Sequence, residues 1–540
     1  MSRTGHDAVI VGGGHNALVA AAYLSRAGLR TVVLERLGHL GGAAVSERPW
    51  AGVDARLSRY SYLVSLLPRT VMADLGLQLD LRRRRYSSYT PDPADPTHGI
   101  LVDNGDAAAT AASFLRTTGD TREADRFAAF YARLRPLAER LFPTVTEPLR
   151  RVAEVRGLIG DDGLWAAVAE QPLGGLLRAE LGTDIARGIA LTDGLIGTFA
   201  TADDPSLSQN RCFLYHVIGG GTGDWDVPVG GMGQVSGALE HAARRAGAEL
   251  RTNAEVVAVS PDGEVTLADG EVLHGRLILS GVGPAVLRRL LGAGGADAAP
   301  GDVSDQAESD RPGPSSARQP EGAQLKVNML LHRLPRLRDE RVTAQAAFAG
   351  TFHINETLTQ LDAAHAAAAA GGIPSPLPAE IYCHSLTDPS ILGPELRASG
   401  AQTLTLFGLQ VPHRLTQDAD PDALRATLLA AAQQSLDAVL AEPIADCVYE
   451  APDGTPCIEA RTTADLEDAL AMVGGDIFHG GLAWPWAADD EPLDTPAQRW
   501  GVATAHDRVL LCGSGARRGG AVSGIGGHNA AMAAIDLLAR

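Results

Sequence analysis

Gly12, Gly14 and Ala17, with Glu35 eighteen residues further on, are the residues of this chain whose types and spacing point to a definite chemistry. The segment reads Asp7-Ala8-Val9-Ile10-Val11 and then Gly12-Gly13-Gly14-His15-Asn16-Ala17, a G-x-G-x-x-A turn. Gly12 permits a tight turn out of an apolar run. Gly14 has no Cβ to hold a pyrophosphate off the backbone, and Ala17 is small enough for close helix packing. The helix that follows offers unpaired N–H groups and the positive end of its dipole to phosphates. Glu35 closes the β-branched run Thr31-Val32-Val33-Leu34, where a carboxylate can take both ribose hydroxyls. Strand, glycine turn, helix, strand and acid in that order predict a dinucleotide site. His15 and Asn16 lie inside the turn and are counted with it.

Candidates for catalysis are fewer. The chain has 45 arginines and one lysine, Lys326. In such a background a lysine marks either a surface accident or a position that needs a compact ammonium able to lose its proton when desolvated. His479, His216 and His528 are candidate site histidines, against the commoner structural role of a lone histidine. Cys212, Cys383, Cys447, Cys457 and Cys512 form neither C-x-x-C nor C-x-x-x-x-C, so neither a redox dithiol nor a zinc knuckle is expected. No metal cluster and no Ser-His-Asp set is visible.

The elements that must position these residues are spread over a long chain. At 540 residues it exceeds one compact core, so two or three lobes are expected. Hydrophobic residues make up 45% and mean hydropathy is near zero, as in globular proteins. A net charge of −19 argues against nucleic acid as the partner. Arg82-Arg83-Arg84-Arg85, the one basic run, is expected on a solvated surface. No secretion signal and no apolar run of membrane-spanning length is read, which predicts a cytoplasmic protein with at most peripheral membrane contact.

An α/β fold with a helical insertion between two pieces of a Rossmann-like domain follows from the pattern; the discontinuous three-segment domain and the substrate lobe in the bounds below are what the family resemblance given in the next paragraph implies. Residues 1–105 form its first segment, and 106–225 a helical insertion with breaks at Pro136, Pro143, Pro148 and Pro172. Residues 226–291 form the second segment, 325–500 an α+β substrate lobe and 501–540 the third segment. Ser58 to Leu67 reads as pocket lining or a core helix. Gly219 to Gly223 reads as a turn, because Pro228 prevents a helix from starting there. Ala363 to Ala370 reads as an exposed helix. Gly292 to Gln324 has almost no large apolar residue and is expected to be disordered.

Glu35-Arg36 and Gly41-Gly42-Ala43 resemble the E-R-x-x-x-x-G-G segment of FAD proteins related to amine oxidases and carotenoid desaturases. With Gly230-Gly231-Met232-Gly233, Gly474-Gly475-Asp476-Ile477-Phe478-His479-Gly480 and Cys512-Gly513-Ser514-Gly515, the chain resembles the phytoene desaturase-like, or carotenoid/retinoid oxidoreductase, family of FAD flavoproteins. The resemblance implies non-covalent FAD held by Gly12, Gly14, His15, Asn16, Ala17, Glu35, Arg36, Gly41, Gly42, Ala43, Val256, Gly513, Val522 and Ser523. It implies hydride removal from an apolar or isoprenoid-like small molecule; Lys326 and His479 are the catalytic candidates among the residues singled out above. In amine oxidases a lysine in a similar setting holds a water against the flavin. The family's Pro-Gly-Gly-Gly loop is here Arg518-Gly519-Gly520-Ala521, a departure at the flavin edge. Two alternatives stand beside this reading. One is an amine oxidase whose aromatic pair comes from Trp484, Trp486 or Trp500; the other is a flavin-binding regulatory protein without turnover.

Overall fold

The computed structural model describes residues 5–293 and 320–539. Its first unit is β1 (His6–Val11), α1 (His15–Arg26) and β2 (Thr31–Leu34). Ala8 to Val11 are all buried, as an apolar run must be when a sheet is covered on both faces. β1 runs parallel to β2 on one side and to Val272–Ser280 on the other, with Ile10 opposite Val33 and Leu279. Glu249–Arg251 extends the sheet beyond β2, and Val509–Leu511 pairs in parallel with Val272–Ser280. Three distant pieces of chain therefore meet in one seven-stranded sheet, the discontinuous domain expected.

A second seven-stranded sheet runs Ile458–Arg461, Ala323–Leu331, Gln402–Pro412, Ala379–Tyr382, Thr351–Ile354, Tyr86–Pro91, Gly99–Asp103. One face is apolar: Leu325, Val327, Met329, Leu404, Leu406, Ile381 and Phe352 join a single buried core. The other face carries Gln324, Lys326, Asn328, Thr405, Glu380 and His353, all buried as well. A helical layer between Ala107 and Ile218, built on Phe114, Phe127, Phe130 and Leu134, closes over that polar face.

Four expectations change. Residues 86–103 belong to the second sheet rather than to the first nucleotide segment, because Tyr86–Pro91 pairs with Thr351–Ile354. Pro136 lies inside the helix Glu123–Leu141 and does not break it; the carbonyl it leaves unbonded, on Ala132, is on the exposed side. The helix over 358–369 buries Leu361, Ala364 and Ala368 and is only half exposed. Of the stretch expected to be disordered, residues 294–319 lie outside the described residues. Its last part is packed: Ala323 opens a strand, Gln324 is buried, and Glu321 pairs with Arg414.

Candidate functional site

The glycine turn is a cradle built from two loops of backbone. Gly12 holds φ +88°, and a Cβ there would stand 3.0 Å from Val282. Gly14 is different: φ is −67° and ψ 168°, which any residue adopts, and a Cβ would meet nothing within 4 Å. The space beside it is open while the protein packs tightly all round. α1 starts at His15 with no side-chain cap, and Leu18 N–H is the first to find an intrahelical acceptor, Gly14 O. The first-turn N–H groups are thus left for a ligand. The second loop is stitched on by Gly41 N–H to Gly13 O at 2.9 Å, and a Cβ on Gly42 would press within 3.2 Å of Gly14 Cα. Glu35 accepts from Gly13 N–H at 2.7 Å and Leu37 N–H at 2.8 Å, one on each oxygen. Its further lone pairs are available to a ribose. These residues fit a dinucleotide: an open cradle, oriented donors and a fixed acid. Glu35→Gln, which keeps the shape and loses the charge, is expected to weaken nucleotide retention by ~1.5–3 kcal/mol, the worth of a hydrogen bond to a charged group. Equilibrium dialysis against FAD gives the number, and unchanged retention would remove Glu35 from the ribose.

Arg36, Ala43, Val256, Gly513 and Val522 line the same cavity, as do His15 and Asn16. His15 Nε2 bonds Ala521 O at 3.1 Å, and burial pushes its pKa down to about 4, so it is neutral. Ser523 is placed elsewhere. Its Oγ accepts from Ile525 N–H at 3.2 Å and helps start the helix Ile525–Leu538, with no face on the cavity. The closing loop carries Arg518 at φ +68°, a conformation closed to proline. Arg518 is 2% exposed and donates to Thr144 O, Glu147 O and Trp500 O at 2.8–3.1 Å, tying the loop to the helical layer.

The cavity holds about 970 Å³ and runs from this cradle to the polar face of the second sheet. Lys326 stands there, 4% exposed, so the surface reading is overturned. Its Nζ donates to Ser58 O at 2.9 Å and Tyr60 O at 2.5 Å and lies 4.8 Å from the centre of the Tyr62 ring. Burial lowers its pKa to about 7. Ser58 to Leu67 forms no helix; Tyr60, Ser61, Tyr62 and Leu63 line the cavity. His479, at φ +61°, lines the cavity near the cradle, and burial pushes it down to about 4. His216 also faces the cavity, stacked on Trp225 at 4.9 Å, with Nδ1 bonded to Cys212 O. His528 does not: it is wedged between Tyr23 and Trp500.

Other expectations are corrected here. Trp484 and Trp486 stack on each other in the core, and Trp500 packs on His528, so none of the three lines the cavity. Ring pairs that do include Tyr62 and Tyr382, 4.9 Å apart, and Phe127 and Tyr131, 5.0 Å apart. Arg84 leaves the basic surface run, turns inward, donates to Thr351 Oγ1 at 3.1 Å and sits over Tyr382. All five cysteines are buried and unpaired, and none reaches the cavity. Sequence reasoning missed the acids. Glu380 and Asp193 line the cavity with His353, and Glu356 stands behind, its carboxylate 2.5 Å from His353 Nδ1. His353, Glu356 and Glu380 each bring one ligand-type atom within 4.8 Å of the others, a cluster that no local spacing announced.

Residues 10–71 match the family described as NAD(P)-binding Rossmann-like domain. The chain is 53% identical to "Uncharacterized protein Rv0897c" of Mycobacterium tuberculosis, over 99% of this chain and 97% of that protein. It is 29% identical to pyridine nucleotide-disulfide oxidoreductase domain-containing protein 2 of Mus musculus, over 97% of this chain and 92% of that one. Among solved structures, cyclohexylamine oxidase from Brevibacterium oxydans shares the fold, with a TM-score of 0.57 at 16% identity over 99% of this chain and 100% of that one. An open dinucleotide cradle on a three-piece Rossmann sheet, and near-complete alignment with these relatives, lead to one conclusion: the chain belongs to the family of the mycobacterial protein Rv0897c and is homologous to pyridine nucleotide-disulfide oxidoreductase domain-containing protein 2.

Proposed function

We propose that the protein is an FAD-dependent dehydrogenase or desaturase that binds FAD non-covalently and oxidises a largely apolar small molecule. The observation that carries this reading is the single cavity joining the Gly14 cradle to Lys326. FAD, when bound, would supply the hydride-accepting ring system. The chain's own residues do the rest. The glycine loops and the α1 terminus bind pyrophosphate, Glu35 the ribose, and the backbone at Val256 the adenine. Phe127, Tyr131, Ile189 and Ile196 on the helical wall hold an apolar body and exclude water. Lys326, when neutral, gives both N–H bonds to the carbonyls of Ser58 and Tyr60 and keeps its lone pair for a proton or a water. No described helix is long and apolar enough to cross a membrane; a cytoplasmic setting is part of the proposal.

Anaerobic screening of the yellow protein for compounds that bleach the flavin tests the activity, and a protein that no compound reduces would return the reading to flavin binding alone. Lys326→Met and Lys326→Arg are expected to retain FAD and to slow one half-reaction by ~10-fold or more. Lys326 carries its proton below about pH 7 and loses it above. If the neutral amine accepts a proton, the parent rate rises with pH through that value, and the inflection is absent from Lys326→Met. Stopped-flow traces of the variants that overlay the parent would take Lys326 out of the site.

A further inference from the structure

The polar face of the second sheet carries one row of residues directly opposite one another across four strands. Lys326 pairs with Phe407, Phe407 with Glu380, and Glu380 with His353. Residues paired this way project to the same face, and all four line the cavity. At ~4.8 Å between strands, Glu380 stands roughly 10 Å from Lys326 and His353 roughly 14 Å. The far end of the row is acidic. Glu380 takes a hydrogen bond from the Tyr382 hydroxyl, and its other oxygen lies 3.9 Å from His353 Nδ1. Asp193 faces the same space from the helical layer and has no side-chain hydrogen bond among the described residues. Glu356 is fully buried, with Oε2 on His353 and Oε1 without a partner. Two carboxyl groups at this end of the cavity and a third behind them thus face the permanent cation Arg84, which donates to Thr351 Oγ1. Burial raises Glu380 to about 7 and Asp193 to about 6, as acids do that lack a close counter-charge. Tyr131 and Tyr382 present rings to the same space.

We propose that this end of the cavity anchors a primary ammonium group of the substrate, held by Glu380 and Asp193 between Tyr131 and Tyr382, with its apolar body lying along the sheet toward Lys326. A primary ammonium brings three donors to the unbonded Asp193 carboxylate and the free lone pairs of Glu380, and its charge suits aromatic faces. The nitrogen is then two or more strand spacings from Lys326, so the anchored amine is not the group oxidised there. His353 Nδ1 and Glu356 Oε2 are 2.5 Å apart, a hydrogen-bond separation too short for two ligands of one ion. The inference rests on this cavity being the substrate cavity of the proposed oxidoreductase.

Calorimetric titration of the FAD-loaded protein with n-octylamine and with 1-octanol tests it. The amine is expected to bind at least tenfold more tightly, and Glu380→Gln to remove the difference. Asp193→Asn, further from the sheet, gives the same reading should Glu380→Gln fail to fold. Equal affinity for amine and alcohol, or a preference that survives both substitutions, would overturn the anchor. So would stoichiometric binding of zinc chloride that disappears in His353→Ala. A protein that purifies without flavin but still prefers the amine would instead count against the flavin reading and leave the anchor standing.

Discussion

A Gly14→Val protein is expected to fold as the parent does and to bind dinucleotide on the order of 100-fold more weakly, about 2.7 kcal/mol. The two halves of that expectation come from different observations. The backbone at Gly14 is extended, where β-branched residues are at ease, and a Cβ would touch no protein atom within 4 Å. Nothing in the protein therefore requires glycine. Its absent side chain leaves room only for something the chain itself does not provide, and the uncapped start of α1 is next to it. Neighbouring Gly13 makes the contrast, since a Cβ there would lie 2.4 Å from Leu40 and disturb the loop itself. Flavin absorbance per chain after purification, with the melting temperature of nucleotide-free protein as the control for folding, decides it. Stoichiometric flavin in Gly14→Val would mean that the pyrophosphate lies elsewhere.

Arg518→Leu is expected to cost roughly 2–4 kcal/mol of stability. Three carbonyls, those of Thr144, Glu147 and Trp500, lose their donor together, and each buried unsatisfied group costs ~1–3 kcal/mol, offset in part by relief from burying a charge. Arg518→Lys is expected to fall between, because an ammonium on a flexible stem cannot spread its donors as the planar guanidinium does. Urea unfolding followed by tryptophan fluorescence measures both. A midpoint equal to the parent's in Arg518→Leu would show that water replaces the guanidinium at no cost.

Much of the nucleotide fold was legible because its signals are local. The Gly12 to Ala17 turn, the acid at Glu35 and the strand at Val509 to Leu511 each announce themselves within a few residues. The departure at Arg518 was legible as a departure, but its meaning needed the carbonyls of Thr144 and Glu147, more than 370 residues earlier. The polar sheet face was not legible for a different reason. Gln324-Leu325-Lys326-Val327-Asn328-Met329 and Thr351-Phe352-His353-Ile354 alternate as half-exposed strands do. Only the helical layer folded over them turns the outward side inward. Strands with such alternation and both faces buried supply the polar wall of the cavity. Likewise Tyr86–Pro91 could not be assigned to the second sheet, because its partner Thr351–Ile354 lies some 260 residues away.

The weaving of three chain segments into one sheet has a consequence for synthesis. α1 emerges early from the ribosome, yet the helix it packs against, Ile525–Leu538, emerges last of the described elements. Their contact is so close that a Cβ on Gly527 would stand 1.9 Å from Asn16 O. Val272–Ser280 likewise waits for Val509–Leu511. Pairings of this sequence separation are slow to form, since loop closure precedes any gain from contact. The nascent chain therefore spends most of its translation with one side of its nucleotide fold uncovered, and that is the interval in which a chaperone is most needed. Cofactor capture becomes a final act of maturation, and a chain lacking residues 509–538 would be a target for degradation rather than a weaker enzyme.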